Sequence, residues 1–406
     1  MPDKTVVFRP FAGAELSITG DAADTGIIGN LERTGGRYEE DVTAFLRRTV
    51  PPDGVVVDAG ANIGVLSLLA ARLAPAGLVY AFEPAPRSAE YVRRNARANG
   101  ATNVVVEAVA LSDHEGETAF ATNADYPAGA HLAVDEASIT VPVTTLDAWS
   151  ARVGLRRLDL VKVDVEGAEL LVLAGARATI RRFSPALVVE CNAGALRRVA
   201  GRTFADLHRA LRDLYPAVAT LAADGSVIAL TGESHLELRL ADAGVVDLVG
   251  LPRGASPRVR ARGLLDHARL RGRHGRRRPE MNFVVTPKVD LRVVSPVAGR
   301  PHEVVPVRVE LRNRSRWWLS SEFVYEPVHV SYRWLGVDGS VVVAAGHRTR
   351  LPRPVAPGET VTVTAEVVFP PDPGSYTLAV TLVQELWAWL DEIDPSCRVE
   401  VGVEVS

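Results

Sequence analysis

Cysteine and methionine each occur only twice in these 406 residues, and only Lys4, Lys162 and Lys288 among the 46 basic residues are lysines. Cys191 and Cys397 stand far apart and in no metal-binding spacing, which excludes a disulfide framework or a zinc knuckle and suits a reducing compartment. No run approaches the roughly 18 uncharged apolar residues of a membrane span. The opening Met1-Pro2-Asp3-Lys4 has the form of neither a signal peptide nor a lipidation site. A cytoplasmic protein without a transmembrane segment is expected. The arginine bias is attributed to coding composition and not to nucleic-acid binding, and the formal charge of −3 hides an uneven distribution.

What is present is ordinary globular material. Hydrophobic residues make up 47% and charged residues 23%, enough apolar side chain for a core in each of the two domains that the length suggests. Val55 to Asp58 reads as a buried strand and Gly60 to Leu73 as a helix. The alternation recurs with strands at Leu78 to Phe82, Val104 to Leu111, Leu158 to Val163 and Ala186 to Glu190. Five apolar strands, most of them separated by helices, predict an α/β, Rossmann-like doubly wound parallel sheet over residues 1–252. Asp224-Gly225 marks a hairpin turn. Arg253 to Arg278 holds ten arginines against one acid, Asp266, and residues 253–282 read as a linker. Residues 283–406 show about seven short alternating stretches between Pro, Gly and Asp signals, the pattern of an all-β, immunoglobulin-like sandwich, with Tyr376 placed as in a tyrosine corner.

Asp58-Ala59-Gly60-Ala61-Asn62-Ile63-Gly64 lies between a strand and a helix, where backbone must approach a ligand closely. A nicotinamide fingerprint needs glycine where Asn62 and Val65 stand, so that pattern fails and S-adenosylmethionine is the better ligand. Glu83 ends the second strand, from which a carboxylate accepts both hydroxyls of a ribose. Ser112 or Asp113 is placed to reach an adenine ring, although Asp113 to Gly116 reads equally as a hairpin turn. In the fourth strand Lys162 and Asp164 share a face, with Glu166 following; an ion pair that serves only the fold competes with a catalytic role. Asp164, Glu190 and Asn192 at adjacent strand ends offer oxygen ligands of the kind Mg²⁺ takes, against a purely structural Glu190. The insert Ala121 to Val143 contains Tyr126 and His131, the latter either an acid/base group or a solvated loop histidine.

The runs around Asp58 to Gly64, Phe82-Glu83-Pro84, Ser112-Asp113 with Gly116, Thr144-Thr145-Leu146-Asp147 and Asp159 to Glu169, in this order and spacing, resemble the FkbM family of S-adenosylmethionine-dependent O-methyltransferases. Tyr38-Glu39 resembles the family's segment before the first strand, so the likeness covers roughly residues 30 to 230. It implies a class I methyltransferase fold, S-adenosylmethionine as donor and a hydroxyl of a sugar or polyketide-derived molecule as acceptor. Carboxylates at Asp164 and Glu166, in place of an amine-methylating Asn/Asp-Pro-Pro-aromatic turn, suit taking a proton from a hydroxyl, with Asp164 the first candidate.

Five of the six tryptophans lie in the last domain, where Trp317, Trp318, Trp387 and Trp389 offer either stacking platforms for a glycan or a homodimer surface. The basic linker suits an anionic partner or a plain solvated tether; RNA is disfavoured because aromatic interleaving is lacking. Three readings follow. They are an O-methyltransferase acting on a saccharide or glycosylated acceptor, a glycan-binding scaffold that has lost turnover, and, more weakly, an RNA methyltransferase.

Overall fold

The computed structural model describes residues 2–121, 131–132, 138–276, 287–322, 327–384 and 388–406. The chain divides into two compact units, residues 1–236 with 245–267, and residues 237–244 with 268–406.

The first unit is built on an eight-stranded sheet. Its strands are β1 (Val55–Ala59), β2 (Leu78–Phe82), β3 (Val104–Glu107), β4 (Leu160–Val163), β5 (Ala186–Asn192), β6 (Ala217–Leu221), β7 (Val227–Ala229) and β8 (Val245–Leu251), in the order β7-β6-β8-β5-β4-β1-β2-β3. β1 to β5 pair in parallel, as their apolar, β-branched composition requires of strands covered on both faces. β8 enters antiparallel between β5 and β6, so the sheet is mixed at this side and not wholly parallel. β6 and β7 form the expected hairpin, with Gly225 at φ 70° in its turn. An N-terminal hairpin, Asp3–Phe11 with Ala14–Asp21, contributes Phe8 and Ile18 to the same core as Leu68 and Val79. The Asn95 side chain fastens that hairpin to the first β-α turn: it accepts from the Thr19 N–H and donates to the carbonyls of Thr19 and Ile63 (2.8, 2.9 and 2.9 Å).

The strand expected over Val104 to Leu111 is broken. β3 ends at Glu107, and Ala110–Leu111 joins a separate four-stranded sheet beside Ser138–Thr144. Within the arginine-rich stretch read as a linker, Pro257–Arg276 is a helix. Its less exposed residues, Val259, Gly263, Asp266, His267 and Leu270, fall on one side at helical spacing, a signal diluted in the sequence by the arginines between them.

In the second unit, Val289–Val293, Val304–Asn313 and Thr360–Val368 form one antiparallel sheet. Val328–Gly336 and Gly374–Gln384 centre another. The two are tied by buried side chains: Trp334 Nε1 donates to the Val368 carbonyl (2.8 Å), and the Val368 N–H donates to the Tyr332 hydroxyl (2.7 Å). Tyr376 Oη donates to the Asp372 carbonyl (3.1 Å), the bond of a tyrosine corner.

Candidate functional site

At the carboxyl ends of β1, β2, β4 and β5 a crevice opens where strand order reverses. Among its lining residues are six carboxylates, Glu39, Asp58, Glu83, Asp164, Glu166 and Glu190, and a single cation, Lys162. The cation is already committed. Its Nζ lies 3.1 Å from Asp164 Oδ2 and 3.4 Å from Asp58 Oδ1. It also donates to the Gly60 carbonyl at 3.4 Å. Burial alone would depress the Lys162 ammonium, but Asp164 and Asp58 outweigh it and hold the group well above its ordinary range. A lysine so held stays protonated and is no base.

The first β-α turn is shaped by backbone contacts. Gly60, at φ 81°, has no room for a side chain, because a Cβ there would fall 1.7 Å from the Asp164 carbonyl oxygen. Its glycine therefore answers to the neighbouring strand end before any ligand. Gly64, at φ 91°, stands at the start of the helix Val65–Leu73 and faces Val92. Glu83 fixes the turn from β2: the Asn62 N–H donates to its Oε2 and the Ala85 N–H to its Oε1, both at 2.9 Å. Burial pushes the Glu83 carboxyl up to about 7 against the pull of these two amides.

After β4 the chain turns through Val165, Glu166 and Gly167, and buried Glu169 holds this turn by accepting from the N–H groups of Val165 (3.3 Å) and Gly167 (2.9 Å). Burial likewise raises Glu169 to about 7. Glu39 reaches about 7, through desolvation offset by Lys162 and reinforced by Asp164. Tyr38 is raised by desolvation and then by Glu39. Glu190 stands well above the carboxylate range because it is desolvated and faces Asp164 and Glu166. Its Oε2 is buried without a hydrogen-bond partner, as is Asp58 Oδ1, which meets Lys162 only at ion-pair distance. Five non-glycine residues among those described have left-handed backbone, and three of them, Glu39 (φ 38°), Asn62 (φ 49°) and Glu166 (φ 53°), line this crevice. Such strain gathers where surroundings over-determine a functional geometry.

The structure thus brings together Tyr38, Glu39, Asp58, Gly60, Asn62, Glu83, Lys162, Asp164, Glu166 and Glu190. It does not bring Ser112 and Asp113 to the lining. Ser112 N–H donates to the Thr144 carbonyl (2.9 Å) and Asp113 Oδ1 contacts His114 Nδ1 (2.9 Å), as in a turn. Asn192 is occupied as a helix cap, accepting from the Ala195 N–H (3.1 Å), so the imagined Mg²⁺ set with Asp164 and Glu190 loses a ligand. Among the described residues no group of three His, Cys, Asp or Glu side chains is gathered to hold a metal. Asp147 of the Thr144 to Asp147 run caps a helix through the N–H groups of Ala178 and Thr179 (2.9 and 2.6 Å). The backbone of His131 pairs with Ala121. The His131 side chain, Tyr126 and Trp387 lie outside what is described. Of the other tryptophans, Trp317 is buried, and the guanidiniums of Arg333 and Arg348 stand 4.0 and 4.7 Å from the Trp389 ring centre.

Sequence reasoning missed Gly26 and Ile27, which close one side of the crevice from a loop held by Asp24 Oδ1. It also missed Asp247, opposite Glu190 on β8 and raised well above its ordinary value by burial, Asp41 and Glu39. An acid inside the apolar run Val245 to Leu251 was the available signal.

Residues 58–215 match the profile of the Methyltransferase FkbM domain. The chain is 31% identical over 159 residues to the hexuronic acid methyltransferase AglP of Haloferax volcanii, covering 39% of this chain and 64% of that protein. It is also 31% identical over 149 residues to the 2-O-methyltransferase NoeI of Sinorhizobium fredii, covering 32% of this chain and 60% of that protein. The chain therefore spans less than two thirds of the length of these curated relatives. A solved FkbM methyltransferase from Methylobacillus flagellatus aligns at 16% identity with a TM-score of 0.32, over 50% of this chain and 44% of that one.

Proposed function

On the premise that residues 58–215 form an FkbM methyltransferase domain, we propose that the protein methylates a hydroxyl of a saccharide or glycosylated acceptor, with S-adenosylmethionine as donor. The observation that carries this reading is the charge of the crevice. Six acidic side chains surround one lysine already paired with two of them, so a ligand bearing positive charge, which would draw the raised carboxyls of Glu39, Glu83 and Glu190 into their ionised forms, is favoured and an anionic dinucleotide is opposed. The donor fits that requirement: it brings a methyl group on positively charged sulfur together with an ammonium, and in the crevice-lining residues Asp58 and Glu190 the buried Oδ1 and Oε2 have no hydrogen-bond partner.

The chain's residues divide the work. Glu83 spends one lone pair of each oxygen on the turn and keeps the others for the ribose hydroxyls. Lys162 draws Asp58, Asp164 and the Gly60 carbonyl together and so fixes the turn against β4. Asp164 is engaged by Lys162, whose Nζ lies 3.1 Å from its Oδ2. Glu166, strained and partly exposed in the crevice, is the better placed to take the hydroxyl proton as the oxygen is alkylated. The names of AglP and NoeI, a hexuronic acid and a 2-O-methyltransferase, support a sugar hydroxyl as acceptor.

The test is transfer of labelled methyl to a panel of glycosides, uronic acids included. Base-stable, ether-linked label on a sugar is expected, with Glu166→Gln lowering kcat about a hundredfold or more while donor affinity holds. Donor binding with no transfer to any sugar would reject the acceptor assignment.

A further inference from the structure

The helix Pro257–Arg276 takes no part in the chemistry above. It carries seven arginines against one acid, Asp266, in a chain whose overall formal charge is −3. One side of it is seated. Gly263 faces inward so closely that a Cβ would lie 2.0 Å from the Ala229 carbonyl. Asp266 Oδ2 meets His235 Nε2 at 3.1 Å, and His267 Nδ1 meets Thr231 Oγ1 at 2.7 Å. With that side fixed, the opposite face is defined by helical geometry at 100° per residue.

Along the middle of the outward face run Ala261, Leu264, Leu265 and Ala268, all exposed. Leu264 is 62% and Leu265 73% exposed, the only leucines so exposed among the described residues. Arginines flank this strip on both sides, all exposed: Arg258, Arg262 and Arg269 along one edge, where Arg262 also donates to Ser226 Oγ, and Arg260 and Arg271 along the other, where Arg260 Nε donates to the Ala255 carbonyl (2.8 Å). Two adjacent leucines at the crest of a solvated helix leave apolar surface in water, and the cations beside them favour a partner of opposite charge. An apolar crest between two rows of cations instead suits a helix lying in the plane of a lipid surface, leucines among the acyl chains and guanidiniums at the phosphates. No described helix is long and apolar enough to cross a membrane.

We propose that this helix docks the protein on an anionic lipid surface, with Leu264 and Leu265 inserting and the flanking arginines binding headgroup phosphates. The proposal is independent of the methyltransferase reading, because none of these residues lines the crevice.

Co-sedimentation of the full chain with phosphatidylcholine vesicles, with and without phosphatidylglycerol, tests it. Binding to the anionic vesicles alone is expected, weakening with salt. Leu264→Ser with Leu265→Ser should lower that binding about tenfold, and Arg258→Gln with Arg271→Gln by a similar factor. All these side chains are exposed, so the thermal melt of each variant should match the parent and serves as the folding control. Failure to sediment with anionic vesicles at low salt would overturn the proposal. So would binding that depends on the arginines but is indifferent to the leucines, which would mark a site for a soluble polyanion such as RNA.

Discussion

The Glu83 carboxyl, buried and raised to about 7, makes the proposed donor grip sensitive to pH near neutrality. Only the ionised form accepts from two ribose hydroxyls while still holding the Asn62 and Ala85 amides. Donor affinity should therefore fall as pH drops below about 7, approaching a tenfold loss per unit, which calorimetry across that range would register. Lys162 gives a different kind of prediction. Its replacement by Met leaves Asp58 and Asp164 facing one another without a counter-charge, at a cost of about 3–5 kcal/mol in stability, measurable by denaturant unfolding. At this scale much could be read in advance. A glycine turn after an apolar strand and charged residues inside another are anomalies that only paired or ligand-facing groups resolve, and Asp58, Glu83, Lys162 and Asp164 do meet around one crevice. The cause at Gly60 was illegible, because the obstacle is a carbonyl a hundred residues away in the chain.

Elements explain where sequence reasoning stopped. Ser112 and Asp113 were expected at the sheet edge because Val104 to Leu111 reads as one apolar run. The chain leaves the sheet after Glu107, however, and Ser112 follows a strand of the smaller sheet, paired to Thr144. Periodicity reports that a strand exists, not which neighbour it takes. The same limit hid β8, whose partners β5 and β6 both precede it. The turn from Val165 to Gly167 is an element whose role can be separated from the donor grip. Glu169→Ala removes the acceptor of two of its amides, and this should lower kcat more than it weakens donor binding, with about 1–3 kcal/mol lost in stability. Steady-state kinetics beside a melt would show whether the two effects separate so.

For the whole molecule, the concentration of buried acid sets a stability profile. Glu83 and Glu169 both stand at about 7 against an ordinary 4.5, so the folded chain retains protons that the unfolded chain releases. That contribution is complete below about pH 4.5 and is lost as pH rises through about 7. The free protein should melt at a lower temperature at about pH 8 than at about pH 6, with a difference of at least about 2 kcal/mol, and S-adenosylmethionine should narrow the gap by supplying positive charge. The shift in texture from strand-helix alternation to short alternating strands suggests a boundary near residue 252, whereas residues 237–244 group with 268–406 and the arginine-rich segment holds a helix over residues 257–276. Its helical spacing was present but masked by side chains that composition alone reads as solvated.

The most direct measurement is a calorimetric titration of S-adenosylmethionine into the parent chain and into Glu83→Ala at about neutral pH. Saturable one-site binding to the parent, weakened at least about tenfold by the substitution, is the expected result. Equal affinity in the two proteins would remove the donor from the crevice between β1, β2 and β4, and with it the chemistry assigned there.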